Sequence, residues 1–280
     1  MRFVAAFGIV WAHMQAPFSA EGYVALALFL ILIGFLSVRS LARGGIRRFW
    51  LGRLIRFFLP WLVWSALFGG LLILRGGWAN AVPVDPFRLL IGPSIHLWFL
   101  PFVVLTSPLV IVMQQRVNSV GQVWLVALGT VPAAVLAIRA HDSSGLPEPI
   151  AQWAFATMPL FYGLLSAVAH HRQATVAPMV FATLTCGIAY VGFDSPIAPF
   201  LFLAAVGFET LWRITVQMPR LARLGELSFG IYLVHPVFIL VWYHFAGSDR
   251  PAAFGAIAVF IASAMCTAIL RLVPMGRVIT

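Results

Sequence analysis

Apolar runs follow one another along almost the whole chain, each near the length a helix needs to cross a bilayer. Ten can be read, at about 1–18, 22–39, 54–75, 98–115, 121–139, 152–169, 174–193, 196–216, 226–246 and 252–273. The hydrocarbon core of a bilayer takes roughly 20 helical residues. The runs are continuously apolar, without alternation of period two, so they predict helices rather than the strands of a barrel. The residues between them cannot clothe a soluble core. Of 280 residues, 62% are hydrophobic and 9% charged, against about 45–50% and about 25% in soluble domains. That excludes a soluble enzyme, a disordered chain and a disulfide-stapled secreted domain. No internal repeat or low-complexity linker divides the sequence. The expected fold is an all-α integral membrane protein, with about ten transmembrane helices in a single domain over residues 1–280.

The net charge of +10 comes from 18 basic residues, all of them arginine. They gather at the ends of the apolar runs, as the positive-inside rule requires, and form no stripe of the kind that binds nucleic acid. With residues 39–56 placed in the cytoplasm, strict alternation puts 14 arginines inside. It leaves 4 outside: Arg75, Arg88, Arg139 and Arg250. Both termini are then cytoplasmic. Two long loops fall outside, at 76–97 with Pro83, Pro86 and Pro93, and at 140–151 with Pro147 and Pro149. No small-x-small cleavage site follows the first run, which reads as a retained span rather than a signal peptide. Cys186 and Cys266 lie inside apolar runs and read as small core residues.

Polar side chains inside membrane spans are costly, so each is a functional candidate. His13 stands eleven positions after Arg2, about 16 Å along a helix. With Arg2 at the cytoplasmic interface, His13 lies deep in the membrane, where an imidazole can take up a proton near neutral pH. It equally suits a core histidine bonded to a neighbouring helix. Arg53 and Arg56 are three apart and are expected on one face of a helix. A helix N-terminus at that point would favour phosphate; the same charges also serve topology and anionic lipid. Ser228, Tyr232 and His235 form a stripe at i, i+4 and i+7, facing a cavity or another helix. Pro236 after them is expected to kink the helix and free a carbonyl. His96 and Trp98, where a long outside loop meets the fourth run, suit an outward cavity; Trp98 alone suits an interfacial belt. His170 and His171 read as a solvated pair in a short turn. No metal-binding or phosphate-loop pattern is present, and no metal or resident cofactor is expected.

These places together resemble the membrane-bound acyltransferase family 3, the O-acyltransferases of surface polysaccharides. The family's Arg, ten residues, His is matched by Arg2 and His13. Its R-x-x-R before a proline is matched by Arg53, Arg56 and Pro60. Its His-Leu-Trp-Phe-Leu is matched at 96–100, and its Ser-aromatic-Gly-Ile-Tyr-Leu-x-His at 228–235. The order, the spacing and the ten-span layout agree. The second span departs from the family's G-V-D-L-F-F-V-L-S-G-F. Gly34 and Phe35 keep its end, but Ala27 stands at the Asp position and Ile33 at the Ser position.

The resemblance implies transfer of an acyl group, acetyl first of all, from cytoplasmic acyl-CoA to a hydroxyl of a surface glycan or lipid-linked sugar. It implies a bacterial cytoplasmic (inner) membrane location. In that reading Arg2, Arg53 and Arg56 bind the donor, and His13 is the general base or holds the acyl group briefly. His96, Trp98, Ser228, Tyr232 and His235 line the cavity. Acyl-CoA, the glycan acceptor and membrane lipid are the expected partners. The alternative is a transporter or flippase, since intramembrane polar groups mark substrate paths as readily as catalytic sites. Transporters often carry internal repeats, and none is evident here.

Overall fold

The computed structural model describes residues 1–76, 87–143, 145–214, 219–247 and 252–280, and every regular element among them is helical. In chain order they are α1 (Arg2–His13), α2 (Gly22–Arg53), α3 (Leu59–Gly76), α4 (Arg88–Ile91), α5 (Phe99–Leu105), α6 (Ser107–Arg116) and α7 (Val120–Gly129). Then follow α8 (Val131–Asp142), α9 (Ile150–His171), α10 (Ala177–Phe193), α11 (Ala198–Arg213), α12 (Pro219–Ala246), α13 (Ala252–Leu270) and α14 (Pro274–Ile279). A π-helical turn, Leu54–Phe58, joins α2 to α3. Among the described residues five helical stretches are long and apolar enough to cross a membrane: Ser19–Leu74, Ile95–Arg116, Val120–Asp142, Arg223–Ala246 and Ala252–Leu270. Large apolar side chains such as Leu125, Val191 and Ile269 stand exposed on these and neighbouring helices, as a lipid-facing surface requires. Pro83, Asp85, Pro86, Asp249 and Arg250 lie outside the described residues.

Two expectations about element ends are corrected. The first helix stops at His13, short of the apolar run to residue 18. Gln15 and Phe18 take left-handed φ of 52° and 61°, and Pro17 between them has no N–H to continue a helix. The Trp11 indole closes the turn by donating to the Pro17 carbonyl at 2.9 Å. Second, the second and third apolar runs are not set apart as separate helices with a new start near Arg53, because residues 39–56 are helical. Helical geometry is broken only at Gly45, where φ is 70° and ψ 173°. Glycine takes that conformation without penalty.

Two apolar runs that read as single spans are each bent at a Thr-x-Pro. Pro108 and Pro132 lack a backbone donor, and α5 gives way to α6 at Thr106 and α7 to α8 at Thr130. The local carbonyls are shared with hydroxyls instead. Thr106 donates to Phe102 at 2.8 Å, Ser107 to Val103 at 2.7 Å and Thr130 to Val126 at 2.7 Å. Ser119 and Gln122 form a reciprocal capping box at the start of α7, which fixes where that helix begins.

The chain divides into two compact units: Met1–Phe29 with Gly207–Thr280, and Leu30–Val206. In the first, α1, α12 and α13 pack on one another. Val10, Met14, Ile231, Val259 and Phe260 lie in that core, and Phe3 and Phe7 meet the Phe260 ring edge-on, each at 5.1 Å. In the second, α9 packs on α7, α8 and α10. There α2 and α9 approach through facing glycines: Gly34 lies against the Leu160 carbonyl and Gly163 against that of Ile31, leaving no room for a Cβ at either.

Candidate active site

The candidate residues fall in both units. The first holds Arg2, His13, Ser228, Tyr232 and His235; the second holds Arg53, Arg56, His96 and Trp98. Each group is described by itself.

In the first unit the ends of α1 carry Arg2 and His13, both exposed. His13 is the last residue of α1. Its ring stands 5.3 Å from that of His235, tilted by 32°. His235 is 1% exposed. The three residues of the α12 stripe are all buried, and their environments differ. The Ser228 hydroxyl donates to the Gly225 carbonyl within its own helix. The Tyr232 ring stacks on Phe29 at 5.9 Å and lies 6.0 Å from His235. Nδ1 of His235 lies 2.7 Å from the Tyr232 carbonyl oxygen. That carbonyl is the one Pro236 frees, because residue 236 has no N–H to return to residue 232. The freed carbonyl expected from the sequence is therefore present, and a ring nitrogen takes it up.

In the second unit the arginine pair departs from expectation. Arg53 and Arg56 do not share a face. Arg53 is buried, its guanidinium over the Phe49 ring at 4.5 Å and the Phe57 ring at 5.2 Å. Arg56 is exposed. The π-helical turn Leu54–Phe58 advances by more residues per turn than an α-helix, and this separates side chains three apart. Nor does a helix N-terminus fall at Arg53 or Arg56 to hold an anion, because helix runs without a break from the residue after Gly45 through the π turn into α3. Among the described residues no carboxylate is paired with Arg53 or Arg56. π-turns recur at functional sites, and this one lies on the R-x-x-R.

His96 and Trp98 sit in a 3-10 turn, Ile95–Trp98, and both are buried. Nδ1 of His96 is 2.7 Å from the Ser94 hydroxyl, and its ring meets Phe68 edge-on at 4.9 Å. Trp98 packs beside Phe99 and Phe102, and its carbonyl accepts from the Trp153 indole at 3.2 Å. A place in an interfacial belt is thus corrected for Trp98; its ring is inside the protein. His170 also departs from the solvated pair, with its ring set edge-on to Phe35 at 6.0 Å. Ala27 is buried, and Ile33 is half-buried with its carbonyl accepting from the Ser37 hydroxyl one turn on.

Sequence reasoning passed over Glu209. It is a 6% exposed carboxylate on α11 in the first unit, with Arg213 3.9 Å away. The available signal was an acid inside the eighth apolar run, which is by itself a functional candidate. Among the described residues no three His, Cys, Asp or Glu side chains converge as metal ligands.

No curated protein and no solved structure matches the chain. A family model does: that of the acyltransferase domain Acyl_transf_3, over residues 1–271. With the Arg2–His13 spacing, the R-x-x-R on its π turn and the α12 stripe all within that match, the chain belongs to acyltransferase family 3.

Proposed function

We propose that this protein is a membrane O-acyltransferase that moves an acyl group, acetyl in the first instance, from cytoplasmic acyl-CoA to a hydroxyl of a surface glycan or lipid-linked sugar. It works in a bacterial cytoplasmic membrane as about ten spans with both termini inside. The observation that carries the reading is His13: an exposed imidazole at the end of an otherwise apolar helix, 5.3 Å from a buried second imidazole, in a chain of this family.

The chemistry follows from that placement. His13 takes the proton of the acceptor hydroxyl while its oxygen attacks the thioester carbonyl. The carbon–sulfur bond breaks, and the thiolate leaves with the proton from His13. General-base help of this kind contributes about 10²–10⁴ in rate. Arg56, exposed and without a carboxylate partner among the described residues, is assigned to the donor's phosphates, with Arg2 and Arg53. Arg53 also braces the turn through its two phenylalanine contacts. Tyr232, His96 and Trp98 shape the walls of their respective units.

The test is transfer by the purified protein in lipid nanodiscs. Label from acetyl-CoA should appear on a glycan acceptor, or in acetate where acceptor is lacking. Mass spectrometry of surface glycans should show loss of an acyl mass when the gene is removed. A transporter would change the amount of exported glycan and leave acetyl-CoA intact, and that outcome would reject the proposal.

A further inference from the structure

Residues 91–96, at the end of the long loop expected outside, lie along the body of α3. The Trp61 indole donates to the Ile91 carbonyl at 3.1 Å. Gly92, at a φ of 86°, faces the Ser65 hydroxyl, and Gly69 faces the Pro93 ring. The His96 ring stands edge-on to Phe68 at 4.9 Å. Since α3 continues to Gly76, these contacts fall short of its outer end. Arg56 stands on the same helical stretch, 12 residues before Phe68, about 18 Å along the axis.

A hydroxyl and an imidazole are thereby held beside an apolar helix, where polar groups signal function. Ser94 is the N-cap of the 3-10 turn Ile95–Trp98, yet its hydroxyl caps no backbone N–H, the usual task of a serine there. It lies instead 2.7 Å from Nδ1 of His96. Ser94 is half-buried and His96 buried. A hydroxyl has one hydrogen and two lone pairs, and neutral imidazole has one N–H. When Nδ1 carries that hydrogen and donates it to Ser94, the serine keeps its own hydrogen for a third group.

We infer that Ser94 is a catalytic residue of the proposed transfer: its hydroxyl donates to the acyl carbonyl oxygen of acyl-CoA, and His96 is the positioning residue that holds it there. The inference rests on the proposed donor site at Arg56. The arm between the diphosphate and the sulfur of acyl-CoA has about the backbone length of four to five extended residues, so about 15 Å. With the phosphates at Arg56, an arm laid along α3 brings the thioester to the depth of Phe68 and His96. As the acceptor oxygen adds, negative charge grows on the carbonyl oxygen and the hydrogen bond from Ser94 strengthens. The Nδ1–H bond into the Ser94 oxygen polarises that hydroxyl further. When the carbon–sulfur bond breaks, the carbonyl forms again, and Ser94 and His96 keep their hydrogens. Phe68 and Trp98 at this turn are buried, and in such surroundings a fixed donor is worth more than in water.

The experiment uses the full chain in nanodiscs and carba(dethia)acetyl-CoA, a ketone in which a methylene replaces the sulfur, so that the carbonyl stays and cannot be transferred. That carbonyl is labelled with carbon-13. Expected is a bound signal downfield of the free one, as a hydrogen-bonded carbonyl gives, which moves back in Ser94→Ala while the dissociation constant changes little. The second arm is acetyl transfer. Loss of one such donor costs about 10²–10³ in kcat, so Ser94→Ala should show that fall with KM for acetyl-CoA little changed. Ser94→Thr keeps the hydroxyl and should recover most of it. His96→Asn, whose amide can still donate to Ser94, should lose less than His96→Ala. A carbonyl signal identical in wild type and Ser94→Ala would overturn the inference, as would a kcat near wild type in that variant. So would equal losses in Ser94→Ala and Ser94→Thr with lowered melting temperatures, which mean packing alone. Those three results leave the proposed function standing wherever the wild type transfers acetyl. A wild type without transfer would reject the proposed function, and the catalytic role of Ser94 with it.

Discussion

A side chain's surroundings decide what its replacement reports. His13 is exposed at a helix end, so it contributes little to packing, and exposed substitutions of this kind shift stability by about 0.5 kcal/mol or less. His13→Ala should therefore keep expression and melting temperature near wild type while transfer falls by about 10²–10⁴. A protein that fails to accumulate would restore the reading of a packed structural histidine. Arg53 and Arg56 look equivalent in sequence and are not. Arg53→Lys exchanges a flat guanidinium lying over Phe49 and Phe57 for a compact, strongly hydrated ammonium. A desolvated cation–π contact is worth about 2 kcal/mol, so this variant should lower the melting temperature. Arg56→Lys touches no such packing. It keeps the charge that topology needs and loses the fork that grips phosphate in two places. Its stability should hold and KM for acyl-CoA should rise, more so at high salt because the remaining attraction is a screened point charge. An Arg56→Lys variant with unaltered KM would make Arg56 a topology determinant alone.

At the scale of elements, the meeting of α2 and α9 is the most exacting contact in the second unit. A methyl at Gly34 would collide with the Leu160 carbonyl, and one at Gly163 with that of Ile31. Backbone cannot step aside as a flexible side chain can, so Gly34→Ala and Gly163→Ala should each cost about 1–3 kcal/mol. The two should not add, because they press on the same seam; thermal unfolding of the single and double variants would show it. This gives a packing role to Gly34, which with Phe35 keeps the end of the family's second-span pattern. Helix type was legible from continuous apolarity, and so was the carbonyl that Pro236 frees. Helix ends were less so. The run to residue 18 holds Gln15 and Pro17 near its end, but the left-handed turn at Gln15 and Phe18 has no signature in hydrophobicity. The π turn was invisible for a related reason: its extra residue leaves the apolar pattern intact and shows only in where Arg53 and Arg56 point.

For the whole molecule, the question is which side of the membrane each helix end meets, since the proposed donor is cytoplasmic. The arginine distribution of 14 against 4 assigns Ser40 and Asn118 to the inside and Ser143 and Asp194 to the outside. All four are exposed; Asn118, Ser143 and Asp194 stand at helix ends and Ser40 lies within α2, five residues before its break at Gly45, so a cysteine at any of them should be reachable by a reagent on its own side. Cys186 and Cys266, the two native thiols, are first replaced by alanine to remove background. An impermeant maleimide added to intact cells should then label cysteines at Ser143 and Asp194. Those at Ser40 and Asn118 should stay unlabelled until the membrane is permeabilised. The four positions lie between different pairs of apolar segments, so they test the alternation as well as the overall orientation. Reversal at all four would invert the protein and put Arg56 on the side without donor. Reversal at Asp194 alone would mean that the run before it fails to cross. This is the sharper risk, because α10 (Ala177–Phe193) is among the shorter apolar helices and at 1.5 Å per residue covers only about 26 Å of a core roughly 30 Å thick.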